Sequence, residues 1–258
     1  MRKKVIEVEN LVKRFGHFTA NDNLNFDVYE GEIFGFLGAN GAGKTTAIRI
    51  LSGLSSPTSG IVKVAGYDAG KQAEKIKKNI GYMCQKFSLY EDLTVKENIT
   101  LYGGIYGLGR SQIAERTGTL LDKLRFREYE NKLISELPLG LRQKLAFSVA
   151  VLHEPKIVFL DEPTGGVDPI TRRQFWEMIY ETAASGITVF VTTHYMDEAE
   201  YCDRISIMNE GRIVALDTPD NLKDQYNASS VEEVFIKIAR SSVPHPPTPS
   251  PGGRRGVG

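Results

Sequence analysis

Two rhythms of apolar residues run along the chain. Val5-Ile6-Glu7-Val8 and the alternating Leu24, Phe26 and Val28 show the period of two expected of half-buried strands, and they predict an antiparallel β layer near the start. An uninterrupted run at 157–160 predicts a strand covered on both faces, as parallel strands are, and the runs at 33–37 and 187–191 predict a buried strand and a further strand. Shorter strands follow at 61–64 and 80–83, flanking a lysine-rich helix over 71–79, and a closing hairpin pairs 205–208 with 212–215 across Glu210-Gly211. Between 86 and 153 the period lengthens to that of helices, at 98–106, 113–124 and 141–152, the last with Leu141, Leu145, Val149 and Leu152 along one face. The pattern predicts an α/β fold: a mixed sheet with an antiparallel β subdomain, interrupted by an inserted α-helical lobe. Its expected bounds are a core at 1–85 and 156–220, a lobe at 86–155, a C-terminal helix at 221–240 and a Pro/Gly-rich tail at 241–258.

Composition narrows the class. The 258 residues carry 32 Lys+Arg and 32 Asp+Glu, so the chain lacks the basic footprint that nucleic-acid wrapping needs, and no nucleic-acid partner is expected. No apolar run approaches the ~20 residues that cross a bilayer, and Met1-Arg2-Lys3-Lys4 leads into a strand, so a soluble chain is expected. Cys84 and Cys202 are too few for a disulfide framework or a metal cluster, fit a reducing interior and read as ordinary buried thiols. The tail, with Pro-His-Pro-Pro-Thr-Pro-Ser-Pro-Gly-Gly, cannot build a core and reads as disordered, either a linker or an appended remnant.

The chemistry concentrates after the run at 33–37. Gly38-Ala39-Asn40-Gly41-Ala42-Gly43-Lys44-Thr45-Thr46 fits G-x-x-x-x-G-K-[ST], with a strand entering and a helix leaving. Glycines let successive N–H groups turn inward around an anion, and the new helix points its positive end at the same spot. Lys44 is then placed for the β- and γ-phosphates of a nucleotide, and the Thr45 hydroxyl for Mg²⁺.

Other strand ends supply further groups to the same edge, where open α/β sheets bind ligands. The run at 157–160 ends in Asp161-Glu162: Asp161 as the acidic partner of Thr45 at Mg²⁺, Glu162 as a base for a water attacking the γ-phosphate. A helix cap or solvated turn is the plainer use of an Asp-Glu pair. The run at 187–191 ends in Thr192-Thr193-His194, followed by an acidic helix start at Met196-Asp197-Glu198. Gln85 sits at the end of another strand, though position alone also fits a solvated loop amide. Phe15 offers a face for an adenine, although the residues alone favour a core phenylalanine.

Taken together, these residues in this order resemble the ATP-binding-cassette (ABC) ATPases over roughly residues 5–238. The resemblance implies a P-loop NTPase core, ATP and Mg²⁺ as ligands, and adenine stacking at Phe15. It further implies Walker A at Gly38 to Thr45, a Q-loop at Gln85 that senses Mg²⁺ and the γ-phosphate, and Walker B ending at Asp161. It makes Glu162 the catalytic base, Gly165-Gly166-Val167-Asp168 the D-loop, and His194 the switch histidine at the γ-phosphate. One motif departs: where the family reads Leu-Ser-Gly-Gly-x-x-Gln, this chain has Leu137-Pro138-Leu139-Gly140-Leu141-Arg142-Gln143. The serine that would touch the opposite subunit's phosphate is Pro138, so a weaker ATP-closed dimer is expected, although the helix N-terminus remains.

The resemblance also implies a head-to-tail pair of ATPase chains working on polytopic transmembrane permease subunits, peripheral on the cytoplasmic face of the membrane. Residues 86–109 are the docking surface it implies. Ser230 to Lys237 and the Leu-Pro-Leu-Gly variant are similar to the branch serving ABC-2-type exporters of drugs or polysaccharides, while Val231, Val234, Phe235 and Ile238 also fit an amphipathic helix packed on the core. Two other readings stand beside export: a soluble ABC ATPase of DNA repair or translation, and a weakly hydrolysing nucleotide-gated subunit.

Overall fold

Alternation inside short apolar strands, more than their length, sets the architecture. The computed structural model describes residues 2–84 and 89–241; the Q-loop residue Gln85 and the tail from 242 lie outside the described residues. β1 (Lys4–Phe15) and β2 (Phe18–Tyr29) pair antiparallel through a tight turn at Gly16-His17. β3 (Ile33–Gly38) and α1 (Lys44–Leu51) carry the chain into a second sheet before it returns through β4 (Ser59–Val64) and β5 (Tyr67–Asp68). The first sheet is antiparallel, in the order β2-β1-β4-β5, as the period-two pattern requires.

After α2 (Ala73–Lys77) comes β6 (Ile80–Met83), then α3 (Val95–Ile105), α4 (Arg110–Leu124) and α5 (Leu139–Ala150). The remaining elements are β7 (Ile157–Asp161), α6 (Pro169–Ala184), β8 (Thr188–Thr193), β9 (Arg204–Asn209), β10 (Arg212–Asp217), α7 (Pro219–Gln225) and α8 (Val231–Ser241). The second sheet runs β10-β9-β3-β8-β7-β6, parallel except for the antiparallel β10. Its central strands β3, β7 and β8 are buried at every position.

Those strands divide their side chains between two cores. Phe34, Phe36, Phe159 and Phe190 face the antiparallel sheet and α1, where they join Phe26 in an aromatic cluster with ring centroids 5.2–5.7 Å apart for the Phe34–Phe190, Phe36–Phe190 and Phe159–Phe190 pairs and for Phe26–Phe34. Ile33, Leu37, Val158, Leu160, Val189 and Val191 face the other way, into a core shared with residues of α3 to α8. Buried aromatic pairs of this kind contribute roughly 0.5–1.5 kcal/mol each beyond their area. Val231, Val234 and Ile238 of α8 enter that second core, as their helical spacing predicts.

Several expectations need correction. The strand ending in Asp161 lies one strand away from the strand feeding the phosphate loop, a neighbour order that the sequence left open: β8 lies between them, so the His194 strand is the neighbour of both. α5 is not amphipathic. It is buried over most of its circumference through Gln143, Leu145, Ala146, Phe147, Ser148, Val149 and Ala150, because it runs between the sheet edge and other helices, while Leu141 is only half-buried. α2 is shorter than 71–79, since Asp68 and Gln72 tie its approach into turns. The acidic segment after His194 begins no α-helix but a single 3₁₀ turn, Glu198–Tyr201, with Glu198 fully buried. Cys202 is buried as expected, but Cys84 only partly.

The seat of α5 on β6 makes two predictions. A Cβ at Gly81 would stand 2.0 Å from the Ala150 carbonyl oxygen, a backbone atom that cannot rotate away. Gly81→Ala should therefore destabilise by about 1–3 kcal/mol, read as a lower urea midpoint at unchanged slope. Beyond α5, the His153 ring stacks on Tyr106 at 3.8 Å and donates from Nε2 to the Ile80 carbonyl at 3.1 Å, while Nδ1 is buried with no hydrogen-bond partner among the described residues. Burial, assisted by the charge of Arg116, holds this imidazole below its ordinary range, against the pull of the Ile80 bond. The folded chain thus resists a proton that the unfolded chain accepts near its ordinary pKa of about 6.5. Stability should fall as pH drops below that value, and His153→Phe should flatten this part of a urea-midpoint profile taken between neutral and mildly acidic pH.

Candidate nucleotide site

The phosphate loop closes on backbone rather than on side chains. Gly43 adopts φ 102°, and a Cβ there would lie 2.4 Å from the Ala20 carbonyl oxygen, so only glycine fits. Asn21, buried on β2, donates from Nδ2 to the Gly43 carbonyl at 3.1 Å, and the Ala42 carbonyl accepts from Gly211 N at 3.0 Å. Both contacts pin the loop from the neighbouring sheet elements. α1 then starts with Gly43 as its cap and no side-chain bond to its first turn, which leaves first-turn N–H groups directed at the loop's mouth.

A cleft of about 490 Å³ opens there, lined by Asn40, Gly41, Gly43, Lys44, Thr45, Thr46 and Glu162 with Phe18 and Ala20 at its rim. Lys44 is buried and donates to the carbonyl oxygens of Gly38 at 2.6 Å and Ala39 at 3.1 Å. Burial lowers its pKa, opposed by the carboxylates of Glu162 and Asp161. Asp161 is buried as well: desolvation pushes its carboxyl above the usual range and the nearby Glu162 adds to this, whereas the Thr192 hydroxyl, donating to Oδ1 at 2.6 Å, and Lys44 pull it down. Opposite charges are thus held short of water, with each disfavoured unless another charge arrives.

Glu162 sits at φ 50°, a left-handed conformation that a glutamate adopts only when its surroundings impose it. Its N–H is shared by the Thr192 carbonyl oxygen and hydroxyl, both at 3.1 Å, and its Oε2 lies 3.2 Å from Nδ1 of His194. The strand ends β7 and β8 therefore present Asp161, Glu162 and His194 as one group, with His194 the most exposed member.

The remaining expected residues collect elsewhere. Pro138 caps α5 with no side-chain bond, and Leu139, Gly140, Gly166, Val167 and Asp168 line a second cleft of about 330 Å³ that shares no residue with the first. Asp168 caps α6, accepting from Ile170 N and Thr171 N, both at 3.0 Å, and from Thr171 Oγ1 at 2.6 Å. Gln143 donates to the Gly165 carbonyl at 3.1 Å, Leu137 is buried beneath, and a Cβ on Gly140 would meet Thr171 at 2.6 Å. The signature-like loop and the D-loop thus form one surface, separate from the phosphate loop.

Phe15 is not a core residue. It is 55% exposed at the tip of the β1–β2 hairpin, with Nζ of Lys13 5.1 Å from its ring centre, and its cross-strand partner Phe18 is the one that lines the cleft. Sequence reasoning passes over Phe18, Asn21 and Thr192. Phe18 is signalled only by its place across the turn from Phe15; Asn21 and Thr192 carry no signal beyond being polar residues in strands.

The chain is similar to known proteins in sequence and in fold. The family profile described as "ABC transporter" matches residues 21–165. The chain is 47% identical over 240 residues to the probable multidrug ABC transporter ATP-binding protein YbhF of Escherichia coli K12, covering 91% of this chain but 41% of that one, so it spans about two fifths of that relative's length. It is 35% identical to the linearmycin resistance ATP-binding protein LnrL of Bacillus subtilis, covering 92% of this chain and 79% of that one. It is also 35% identical to the daunorubicin resistance ATP-binding protein DrrA3 of Streptomyces coeruleorubidus, covering 91% and 75%. A solved ATP-binding subunit of an ABC transporter superposes with a TM-score of 0.83 at 29% identity, over 91% of this chain and 99% of that one. A dimeric ATP-binding cassette bound to ADP and Pi gives 0.75 at 25% identity, over 83% and 98%. With its phosphate loop, paired strand-end acids and cassette architecture, the chain belongs to the ABC transporter ATP-binding family, whose members are ATPases.

Proposed function

We propose that this chain binds Mg-ATP and hydrolyses it as one half of a head-to-tail dimer, and that the cycle powers export of a substrate through polytopic permease subunits in the membrane. The observation that carries this reading is the meeting of Lys44 and Glu162 on one cleft, with His194 held against Glu162. The free N–H groups of the loop and first turn take the phosphate oxygens, and Lys44 exchanges its two loop carbonyls for the β- and γ-phosphates. Phe15, with Phe18 beside it, offers the adenine a flat apolar face.

The donor set fits a magnesium ion: the exposed Thr45 hydroxyl at the start of α1 and the buried Asp161 carboxylate would hold it, with Gln85 as a further ligand. When bound, Mg²⁺ supplies positive charge to the phosphate oxygens. Glu162 accepts a proton from the attacking water, and its constrained backbone fixes where that carboxylate points. His194, donating from Nδ1 to Glu162, is left with Nε2 for the γ-phosphate.

The second cleft is read as the other half of the partner's site, where the N-terminus of α5 and the D-loop at Asp168 meet the opposite ATP. Residues 86–155 are read as the lobe that couples to the permease. Exposed Tyr90, Leu101 and Ile105 on and near α3 give it an apolar surface suited to docking. Among the described residues no helix is long and apolar enough to cross a membrane, so this reading places the chain at the cytoplasmic face through the permease. The relatives named for multidrug, linearmycin and daunorubicin resistance support a drug-like cargo of the ABC-2 type.

Hydrolysis by the purified chain, alone and with its membrane subunits, tests the proposal, and no turnover in either preparation would overturn it. Glu162→Gln should lower kcat by roughly 10²–10⁴-fold while Mg-ATP still binds, and Lys44→Ala should weaken Mg-ATP binding itself, both read by a coupled phosphate assay beside calorimetric titration. Pro138→Ser restores a hydroxyl at the cap of α5. It should tighten the ATP-closed dimer of the Glu162→Gln variant by about 1.5–3 kcal/mol, or about 10- to 100-fold, in sedimentation experiments.

A further inference from the structure

Behind the Glu162–His194 pair lies a carboxylate that this chemistry does not touch. Glu198 has 0% exposure, and each of its oxygens is committed: Oε1 accepts from the Thr164 hydroxyl at 2.5 Å and Oε2 from the Thr193 hydroxyl at 2.7 Å. Thr164 stands two residues beyond Glu162, and Thr193 immediately precedes His194. The Thr193 hydroxyl also accepts from Tyr195 N at 2.9 Å, so its one proton is directed to Glu198. On the open side, Nε of Arg172 approaches Oε1 at 3.5 Å, its guanidinium covers the Tyr195 ring at 4.4 Å, and α6 carries it one turn after the D-loop Asp168.

We infer that Glu198 is a positioning residue for hydrolysis: by tying Thr164 to Thr193 it fixes the spacing of Glu162 and His194, which it does not itself contact. Two independent links hold those strand ends together. At the front, Thr192 bonds the Asp161 carboxylate and the Glu162 N–H. At the rear, Glu198 bridges the segments just after Glu162 and just before His194. The front link belongs to strand pairing and is rigid. The rear link is made of side chains that join the last residue of β8 and the 3₁₀ turn at Glu198 to the segment that follows β7. A buried carboxylate is costly unless fully bonded, which is why both oxygens must keep their donors for the arrangement to persist. Arg172 sets α6 against the same unit, 3.5 Å from the Glu198 carboxylate and packed on the Tyr195 ring.

The inference rests on ATP hydrolysis at Glu162, and its test separates the two. Glu198→Gln, Thr193→Val and Glu198→Ala are compared with wild type for kcat, for Mg-ATP affinity and for melting temperature, each alone and combined with His194→Ala. Loss of one hydroxyl arm in Thr193→Val, or of the charge in Glu198→Gln, should lower kcat at least tenfold with Mg-ATP affinity within twofold. On the His194→Ala background the same changes should cost little further activity while lowering the melting temperature as much as before. If Glu198→Ala does not fold, the two milder variants decide. Variants with wild-type kcat, or a loss of equal size on both backgrounds, would overturn the role of Glu198 and leave hydrolysis at Glu162 standing. A wild-type protein that turns over no ATP with its membrane subunits would overturn both.

Discussion

Charge held out of water at the exit edge of a parallel sheet is the constraint on which this structure depends. Lys44, Asp161 and Glu162 stand close enough that each alters the protonation of another, yet burial works against the ionised forms of both Lys44 and Asp161. Such an arrangement is stable only because hydrogen bonds from the surrounding chain, the loop carbonyls for Lys44 and the Thr192 hydroxyl for Asp161, satisfy it. The left-handed backbone at Glu162 marks the same point, since local strain there is held by bonds to Thr192 rather than relieved.

The sheet makes this edge possible. Two-sided burial of β3, β7 and β8 needs both an aromatic layer, centred on Phe190, and an aliphatic layer shared with the helices. Because β8 is hydrogen-bonded to both β3 and β7, its carboxyl end lies between the phosphate loop and the acidic pair. Thr192, Thr193 and His194 are therefore not decoration at the end of a strand. They connect the phosphate loop's strand to that of the acidic pair and, through Glu198, to the segment that leads into the D-loop.

The second cleft carries the departure from the family pattern. Pro138 suits the cap of α5, where its missing N–H would have had no partner, but it offers no side-chain donor. Asp168 spends its carboxylate on the first turn of α6. At the start of α5 this surface presents helix N–H groups and the tightly packed Gly140, where a Cβ would meet Thr171, with the side chains of Lys144 and Gln174 beside them. Recognition through backbone and helix dipole is weaker than with a hydroxyl added, which is consistent with a dimer that closes less firmly.

By itself the sequence determined which segments are strands, which faces they bury and where the phosphate loop, acidic pair and histidine fall, because period and glycine spacing are local properties of the chain. It also carried the antiparallel N-terminal layer and the packing face of α8. Only tertiary structure decided that β8 separates β3 from β7, that α5 is buried nearly all round and that Phe18 rather than Phe15 lines the cleft. The same is true of Glu198, which reads only as part of an acidic helix start in sequence and is fully enclosed in the fold. Neighbour order and burial of polar groups arise from partners far away along the chain, such as Thr164 for Glu198, and no local pattern records them.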